Sequence, residues 1–237
     1  MEAEPASGQS VQRYYDPQIG RFLSVDPVTA YSNPVAGFNR YRYAANNPYK
    51  FIDPDGQADI VFFQRDEGLA VTARRFDIPG WFTAMGHAGV IPGDPDLKFR
   101  DDRMSDKIFT GERLTVNRLV EEIRLGGFDA KNDRGVFLGQ CSVGGLAIDA
   151  ARQLGVPVMA SEGFVRTVPN NTSGPITYTS NSERDGSGKA MTFNVYTPDG
   201  NISRSYSSIT MRADGSVWGR QATPETGTRI RKEEKIK

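Results

Sequence analysis

Cysteine and histidine are almost absent from this chain, which has one of each in 237 residues, Cys141 and His87. A single cysteine cannot form an internal disulfide, so a disulfide-rich scaffold is excluded and the thiol is free. Zinc sites and zinc deaminases need several Cys and His ligands, which one residue of each type cannot supply. We therefore expect no bound metal and no cofactor.

An excess of charge of one sign and long apolar runs are also lacking. The chain has 29 basic and 29 acidic residues, so nothing marks it as a general binder of nucleic acids or membrane surfaces. Its first residues, MEAEPASGQS, are polar and acidic, and no later run approaches the roughly 18 apolar residues of a membrane span. We expect neither a cleaved signal peptide nor a membrane span, and synthesis in the cytoplasm with any export by another route.

The composition divides the chain into two regions. Residues 12–56 are dense in Tyr, Asn, Pro, Asp and Gly, and repeated Asp-Pro and Asn-Pro steps favour short strands and turns over long helices. From Ala58 onward, apolar strand-like runs are separated by segments with helical spacing. We place the boundary after Gln57, which gives a first domain over 1–57 and a second over 58–237.

The second region predicts an α/β fold. Strand-like runs lie at 59–63, 81–90, 135–140 and 156–161. Helix-like segments lie at 67–76, at 115–127 with Thr115 as a candidate N-cap, and at 144–155. Alternating strands and helices with short connections indicate a mainly parallel sheet covered by helices. Beyond residue 175, alternating polar and apolar residues around PDG and ADG turns predict antiparallel hairpins at the C-terminal edge, followed by a frayed charged tail at 226–237.

Three motifs stand in the first region: RYYDPQIGRFLSVDP at 13–27, NRYRYAANNP at 39–48 and FIDPDG at 51–56. Together they resemble the RHS repeat-associated core found at the C-terminal end of RHS and YD-repeat proteins. The resemblance implies that 1–57 is a short, turn-rich remnant of such a core, which belongs to the β-shell of a longer chain. It implies that the second region is a polymorphic toxin or effector domain, exported by a specialised secretion system into competitor or host cells, with a cognate immunity protein.

The same resemblance implies self-cleavage. The family cuts itself after its DPxG motif with the aspartates of two DP motifs, which correspond here to Asp26 and Asp53, with the cut near Gln57. Two carboxyl groups held close together share a proton, so that one acts as a base and the other as an acid. Both Asp-Pro steps also fit ordinary turns, and at this point both interpretations stay open.

The two rare residues stand at comparable places in the predicted sheet. Cys141 follows the strand at 135–140 and precedes the helix that begins near Gly144, and His87 lies at the end of the strand at 81–90. Functional groups gather at the carboxyl ends of parallel strands, and a helix N-terminus favours an anion such as a thiolate. If the two strands are neighbours, nucleophile and base meet at one edge, as covalent acyl transfer requires.

The residues around them, Gly86-His87-Ala88 and Gln140-Cys141-Ser142, are 54 positions apart. This arrangement resembles that of caspase-like cysteine peptidases. The resemblance implies a protein substrate, Cys141 as the nucleophile and His87 as the proton shuttle. It also implies that the backbone N–H groups of Ala88 and Cys141 stabilise the oxyanion. The predicted function is therefore a Cys-His thiol hydrolase, specifically a peptidase, used as a toxin.

Other functions stay open on the sequence. The second region fits a non-catalytic binding module in which Cys141 and His87 only pack, or a toxin with other hydrolase or transferase chemistry. A nuclease metal site could combine His87 with acidic residues of the segment at 92–106, namely Asp94, Asp96, Asp101 and Asp102. That segment is more simply a solvated, turn-rich loop, or the wall of a substrate pocket whose acidic groups favour a basic side chain. GQCSVGG lacks the Lys-Ser/Thr of a phosphate-binding loop, and Trp81 and Trp218 are expected to be packing residues.

Overall fold

The computed structural model describes residues 15–16, 21–22, 60–64, 68–91, 94–105, 107, 110–141, 143–168, 175–183, 188–223 and 229–236. Residue contacts divide the chain into two units, Met1–Ala58 and Asp59–Lys237. In the first unit the described residues form a short antiparallel pair, β1 (Tyr15–Asp16) and β2 (Arg21–Phe22). The fold and the candidate site below belong to the second unit.

The second unit alternates strands and helices in its first half and contains only strands in the described part of its second half. The first half comprises β3 (Ile60–Val61), α1 (Gly68–Arg74), β4 (Phe82–Met85), β5 (His87–Ile91), β6 (Asp94–Asp101), β7 (Glu112–Leu114), α2 (Val116–Leu125), β8 (Val136–Gly139), α3 (Gly144–Leu154) and β9 (Val158–Ser161). The second half comprises β10 (Phe164–Val168), β11 (Ile176–Asn181), β12 (Phe193–Tyr196), β13 (Ile202–Met211), β14 (Val217–Ala222) and β15 (Arg229–Lys235).

Most of these strands form one ten-stranded sheet. Strands β3, β4, β8 and β9 are neighbours and run parallel, in that order. Strand β12 joins β9 antiparallel, and β13, β11 and β10 continue from it, while β14 and β15 extend from β13. The parallel arrangement predicted from the sequence therefore applies to β3, β4, β8 and β9, and the other described pairings in this sheet are antiparallel. The short connections at 197–201 and 212–216 account for the antiparallel pairing of β12 with β13 and of β13 with β14, because a parallel connection needs a dozen or more residues.

The predicted strand at 81–90 is in fact two strands in different sheets. Strand β4 belongs to the main sheet, whereas β5 pairs with β6 in a three-stranded antiparallel sheet completed by β7. The chain changes sheet at Gly86, where a Cβ atom would lie 2.9 Å from Cβ of Phe62 and 3.1 Å from Cε1 of Phe99. Glycine is needed there because the chain passes so close to two aromatic side chains.

The predicted loop at 92–106 contains strand β6, so the expectation of a solvated loop is wrong there. Leu97 and Phe99 alternate with charged residues in this strand, which is the period of two typical of a strand with one buried face. The following residue, Asp102, is fully buried, and its carboxylate accepts a hydrogen bond from the Gly111 N–H group at 2.7 Å. Acidic composition alone suggested a loop, but the alternation is the stronger signal.

In the described part of the chain, α2 begins and α3 ends at the residues that the sequence predicts. Thr115 caps α2, because its Oγ1 accepts a hydrogen bond from the Arg118 N–H group at 3.3 Å, and Leu119 and Ile123 of this helix are fully buried. Helix α3 stops at Gly155, whose φ of 74° is the left-handed conformation common at helix ends. None of the helices in the described residues is long and apolar enough to cross a membrane.

An aromatic core joins the parallel and antiparallel parts of the main sheet. The Phe76 ring, which follows α1, lies 5.5 Å from Phe137 of β8 and 4.6 Å from Tyr178 of β11. Trp81 packs at the border of this core, as predicted. Ile236, 4% exposed, belongs to the core, and β15 pairs with β14, so the C-terminal tail is ordered and the prediction of a frayed tail is wrong for residues 229–236.

Candidate functional site

Strands β4 and β8 bring His87 and Cys141 to the same cavity. The strands are parallel neighbours, and their last paired residues are Met85 and Gly139. His87 lies two residues after Met85, and Cys141 lies two residues after Gly139. The two site residues are therefore 54 positions apart in the sequence, like the paired residues before them. Both residues line a cavity of about 310 Å³ at the carboxyl ends of the strands. The structure thus brings together the two side chains for which the sequence predicted chemistry.

The described walls of this cavity combine apolar and polar side chains. Its aromatic and aliphatic lining comes from α1, β4, β10, β11 and the segment after β3, and consists of Phe63, Leu69, Met85, Val165 and Tyr178. Arg166 and Thr167 of β10 add polar groups, and Arg166 is exposed to solvent. Apolar walls with a few polar groups are typical of sites that hold a small molecule or a side chain.

The Cys141 thiol is half-buried and has a backbone donor. The Val165 N–H group of β10 donates a hydrogen bond to Sγ of Cys141 at 3.3 Å. A donor directed at sulfur stabilises negative charge on it. Strand β10 lies at the far end of the main sheet from β8, so this contact forms only because the sheet curves back toward its parallel half.

The His87 ring is held by an aromatic neighbour. Its centroid lies 4.7 Å from that of Phe63, with an angle of 83° between the ring planes, which is an edge-to-face contact. Ala88, the predicted oxyanion donor beside it, pairs with Phe99 between β5 and β6 and is not among the residues that line the cavity. The backbone next to His87 that does line the cavity belongs to Gly86.

Gln140 is a site residue whose role the sequence did not reveal. Its side chain is 1% exposed, and Nε2 donates a hydrogen bond to the carbonyl oxygen of Ala84 at 2.7 Å. Oε1 of the same amide is buried and has no hydrogen-bond partner among the residues the structure describes. A polar residue directly after the apolar run VFLG was the available signal, since polar side chains are rarely placed at a buried strand end without a purpose.

Glu162 is a second residue that the sequence did not single out. It follows β9, so the segments after three neighbouring parallel strands carry His87, Cys141 and Glu162. Burial raises the pKa of the Glu162 carboxyl group, although a hydrogen bond from Nδ2 of Asn194 at 3.2 Å opposes this effect. The carboxyl group lies beside the first residue of α3, and its Oε1 occupies the space that a Cβ atom on Gly144 would need. Glu162 does not line the cavity of Cys141.

Where the structure describes them, the acidic side chains considered as metal ligands make other contacts. Asp101 accepts a hydrogen bond from Nε of Arg103 at 2.7 Å, and Asp102 is buried against Gly111. Asp94 and Asp96 belong to β6, and their side chains are outside the described part. Among the described side chains, no group of three or more His, Cys, Asp or Glu residues could hold a metal ion.

The predicted self-cleavage residues, Asp26, Asp53 and Gln57, lie outside the described residues. Their proposed chemistry therefore stays a prediction.

Parts of the chain are similar to known proteins. It is 37% identical over 132 residues to YibJ of Escherichia coli, which covers 56% of this chain and 48% of YibJ. It is 51% identical over 61 residues to salivary gland surface protein 1 of Aedes aegypti, covering 26% of this chain and 2% of that protein. It is 44% identical over 54 residues to toxin subunit YenC2 of Yersinia entomophaga, covering 23% of this chain and 5% of the subunit.

These similarities are partial on both sides. The chain spans about half the length of YibJ and a twentieth or less of the other two proteins. No protein family model matches the chain, and no solved structure matches it. The likeness to a toxin subunit supports an association of this chain with a toxin, as the motifs of the first region imply.

Proposed function

We propose that the second unit is the effector domain of an RHS-type polymorphic toxin and acts as a Cys-His thiol hydrolase, specifically a cysteine peptidase. The observation that carries this proposal is the shared cavity of Cys141 and His87 at the ends of neighbouring parallel strands. The partial likeness to a toxin subunit supports the biological context. A protein substrate, an immunity protein and export into target cells belong to the same proposal.

The proposed reaction uses the two side chains in succession. His87 takes the proton of the Cys141 thiol, and the thiolate attacks the carbonyl carbon of the scissile amide. The tetrahedral intermediate collapses when protonated His87 gives its proton to the leaving amine, which leaves a thioester on Cys141. Water, deprotonated by neutral His87, then hydrolyses the thioester and releases the carboxylic acid and the free thiol. The Cys141 backbone N–H group is the proposed donor to the oxyanion.

The contacts of the thiol suit the first step. The Val165 N–H group stabilises charge on the sulfur before substrate binds. The edge contact with Phe63 limits rotation of the His87 ring, so the base is held in place rather than free to turn into solvent. Both effects reduce the reorganisation that proton transfer and attack require.

Alkylation with iodoacetamide tests the pairing directly, because Cys141 is the only thiol in the chain. An unassisted thiol is only a few per cent thiolate at neutral pH, so we expect His87→Gln to slow alkylation by about 10- to 30-fold. Thr167→Val, which also alters the lining of the cavity, is the matched control and should alkylate at the wild-type rate. Equal rates for wild type and His87→Gln would contradict the pairing.

Expression in cells tests whether toxicity depends on the proposed Cys-His chemistry. Wild type is expected to be toxic, whereas Cys141→Ala and His87→Gln are expected to be harmless at matched protein levels. Full toxicity of Cys141→Ala would remove this residue as the nucleophile. It would leave a non-catalytic binding module or a toxin of different chemistry as the function of the domain.

A further inference from the structure

The Gln140 side chain makes a cross-strand contact at the point where the backbone pairing of β4 and β8 ends. The last paired residues are Met85 and Gly139. Gln140 follows Gly139 directly, and its Nε2 reaches across to the Ala84 carbonyl oxygen of β4 at 2.7 Å. The side-chain amide therefore ties the end of the strand that leads to Cys141 to the strand that leads to His87.

Beyond this contact the two chain segments separate. After Met85 the chain passes Gly86 into β5, which belongs to a different sheet. After Gly139 it turns through Cys141 toward α3. Continued strand pairing therefore does not set the position of the sulfur relative to the imidazole, and contacts at the strand ends must do so.

Packing alone does not account for a glutamine at this position. The side chain is 1% exposed, and its Oε1 has no hydrogen-bond partner in the described part of the chain. A buried acceptor without a partner is unfavourable, and methionine would fill a similar volume without that penalty. Buried polar groups of this kind need a specific explanation, of which a role in a functional site is one.

We propose that Gln140 is a positioning residue, whose amide N–H group holds the end of β8 against β4 so that the Cys141 sulfur meets the His87 ring. This inference rests on the proposed Cys-His function. Gln140 acts through the two catalytic side chains and takes no part in proton transfer or covalent chemistry.

Gln140→Met tests the proposal, because it removes both the donor and the unpartnered oxygen at similar size. We expect a melting temperature equal to or above that of wild type. The rate of Cys141 alkylation by iodoacetamide should fall by about 10- to 100-fold, since a displacement of about 1 Å can cost that much. Leu138→Met is the matched control, because Leu138 is fully buried two residues earlier in β8. It should leave the alkylation rate unchanged.

Gln140→Glu provides a second, isosteric test. Its ionised carboxylate cannot donate to the Ala84 carbonyl oxygen, whereas its protonated form can. The alkylation rate of this variant, divided by that of wild type, should therefore rise as the pH falls. The introduced carboxylate also disfavours a thiolate at the neighbouring Cys141 as it ionises. The uncharged Gln140→Met variant separates this charge effect from the loss of the contact with Ala84.

The outcomes separate this inference from the function on which it rests. A wild-type rate that does not depend on His87 would overturn the Cys-His function itself. A His87-dependent wild type together with a fully reactive Gln140→Met variant would overturn only the role of Gln140. Failure of both Gln140 variants to fold would also overturn that role, because the side chain would then support the fold rather than the site.

Discussion

Single residues of the site carry features that a packing role does not require. A purely structural cysteine is usually fully buried, yet Cys141 is half-buried, lines a cavity and accepts a hydrogen bond from a backbone N–H group. His87 faces the same cavity, with its ring held against Phe63. Outside this cavity, burial changes the ionisation of the Glu162 carboxyl group, and the effect on stability can be measured.

Glu162 should make the protein less stable as the pH rises. Burial raises the pKa of its carboxyl group in the folded protein above the ordinary value of 4.5. Between these two values the folded state holds more protons than the unfolded state, so the free energy of unfolding falls with increasing pH and stays lower above the folded pKa. Glu162→Gln removes the effect. We expect its melting temperature to exceed that of wild type at about pH 7 and to match it near pH 4 or below.

The control for this pH series is Glu183→Gln, because Glu183 is exposed to solvent. Its difference from wild type should be small at every pH. A Glu162→Gln variant whose melting temperature differs from wild type by the same amount at low and neutral pH would show that the change acts through packing and not through ionisation.

At the scale of elements, a buried ion-pair network fastens the three-stranded sheet to its surroundings. Arg103, which follows β6, donates to Asp101 at 2.7 Å and to Glu122 of α2 at 2.8 Å, and Glu122 is fully buried. The Arg103 guanidinium also lies 4.5 Å from the centre of the Phe62 ring, which follows β3. The network therefore joins α2, the small sheet and the edge of the main sheet. Strand β5, which begins with His87, is part of that small sheet.

Arg103→Met should be strongly destabilising. It removes the cation shared by Asp101 and Glu122, although Glu122 keeps a second ion pair with Arg118 at 2.7 Å. We therefore expect a loss of about 3 kcal/mol of unfolding free energy, the lower end of the range for a broken buried ion pair. Urea unfolding measures the loss. Arg152→Met is the matched control, because Arg152 forms an exposed ion pair with Asp149, and such pairs contribute about 1 kcal/mol or less. Similar small losses in both variants would contradict a role for the network in holding the sheets together.

For the molecule as a whole, the second unit has its own hydrophobic core. The core cluster extends from Phe63 to Ile236, and Ile60 of β3, the first described strand of this unit, is also buried. Residues from both ends of this unit are thus packed inside it. A unit with a complete core of this kind is expected to fold by itself.

A fragment comprising residues 59–237 should therefore unfold in one cooperative transition and alkylate Cys141 at the rate of the full chain. Circular dichroism on heating and the iodoacetamide assay measure the two properties. A shorter fragment, 59–228, lacks β15 and the buried Ile236 and should melt at a clearly lower temperature. Equal melting temperatures for the two fragments would show that β15 is dispensable for the core.

Local patterns determined much of this protein. The Thr115 cap, the buried face of α2, the left-handed Gly155 after α3 and the apolar runs of β8 and β9 are all properties of neighbouring residues. The sequence also placed Cys141 just after a strand, because a strand and the turn that follows it are both visible in a short stretch.

Only the tertiary structure decided the features that join distant parts of the chain. The change of sheet at Gly86 depends on the approach of Phe62 and Phe99, and the contact of Val165 with the Cys141 sulfur depends on the curvature of the whole sheet. The Gln140 amide finds the Ala84 carbonyl oxygen only once β4 and β8 are paired in their register. Periodicity and capping act within a few residues, whereas register and burial arise when segments far apart in the chain pack against each other.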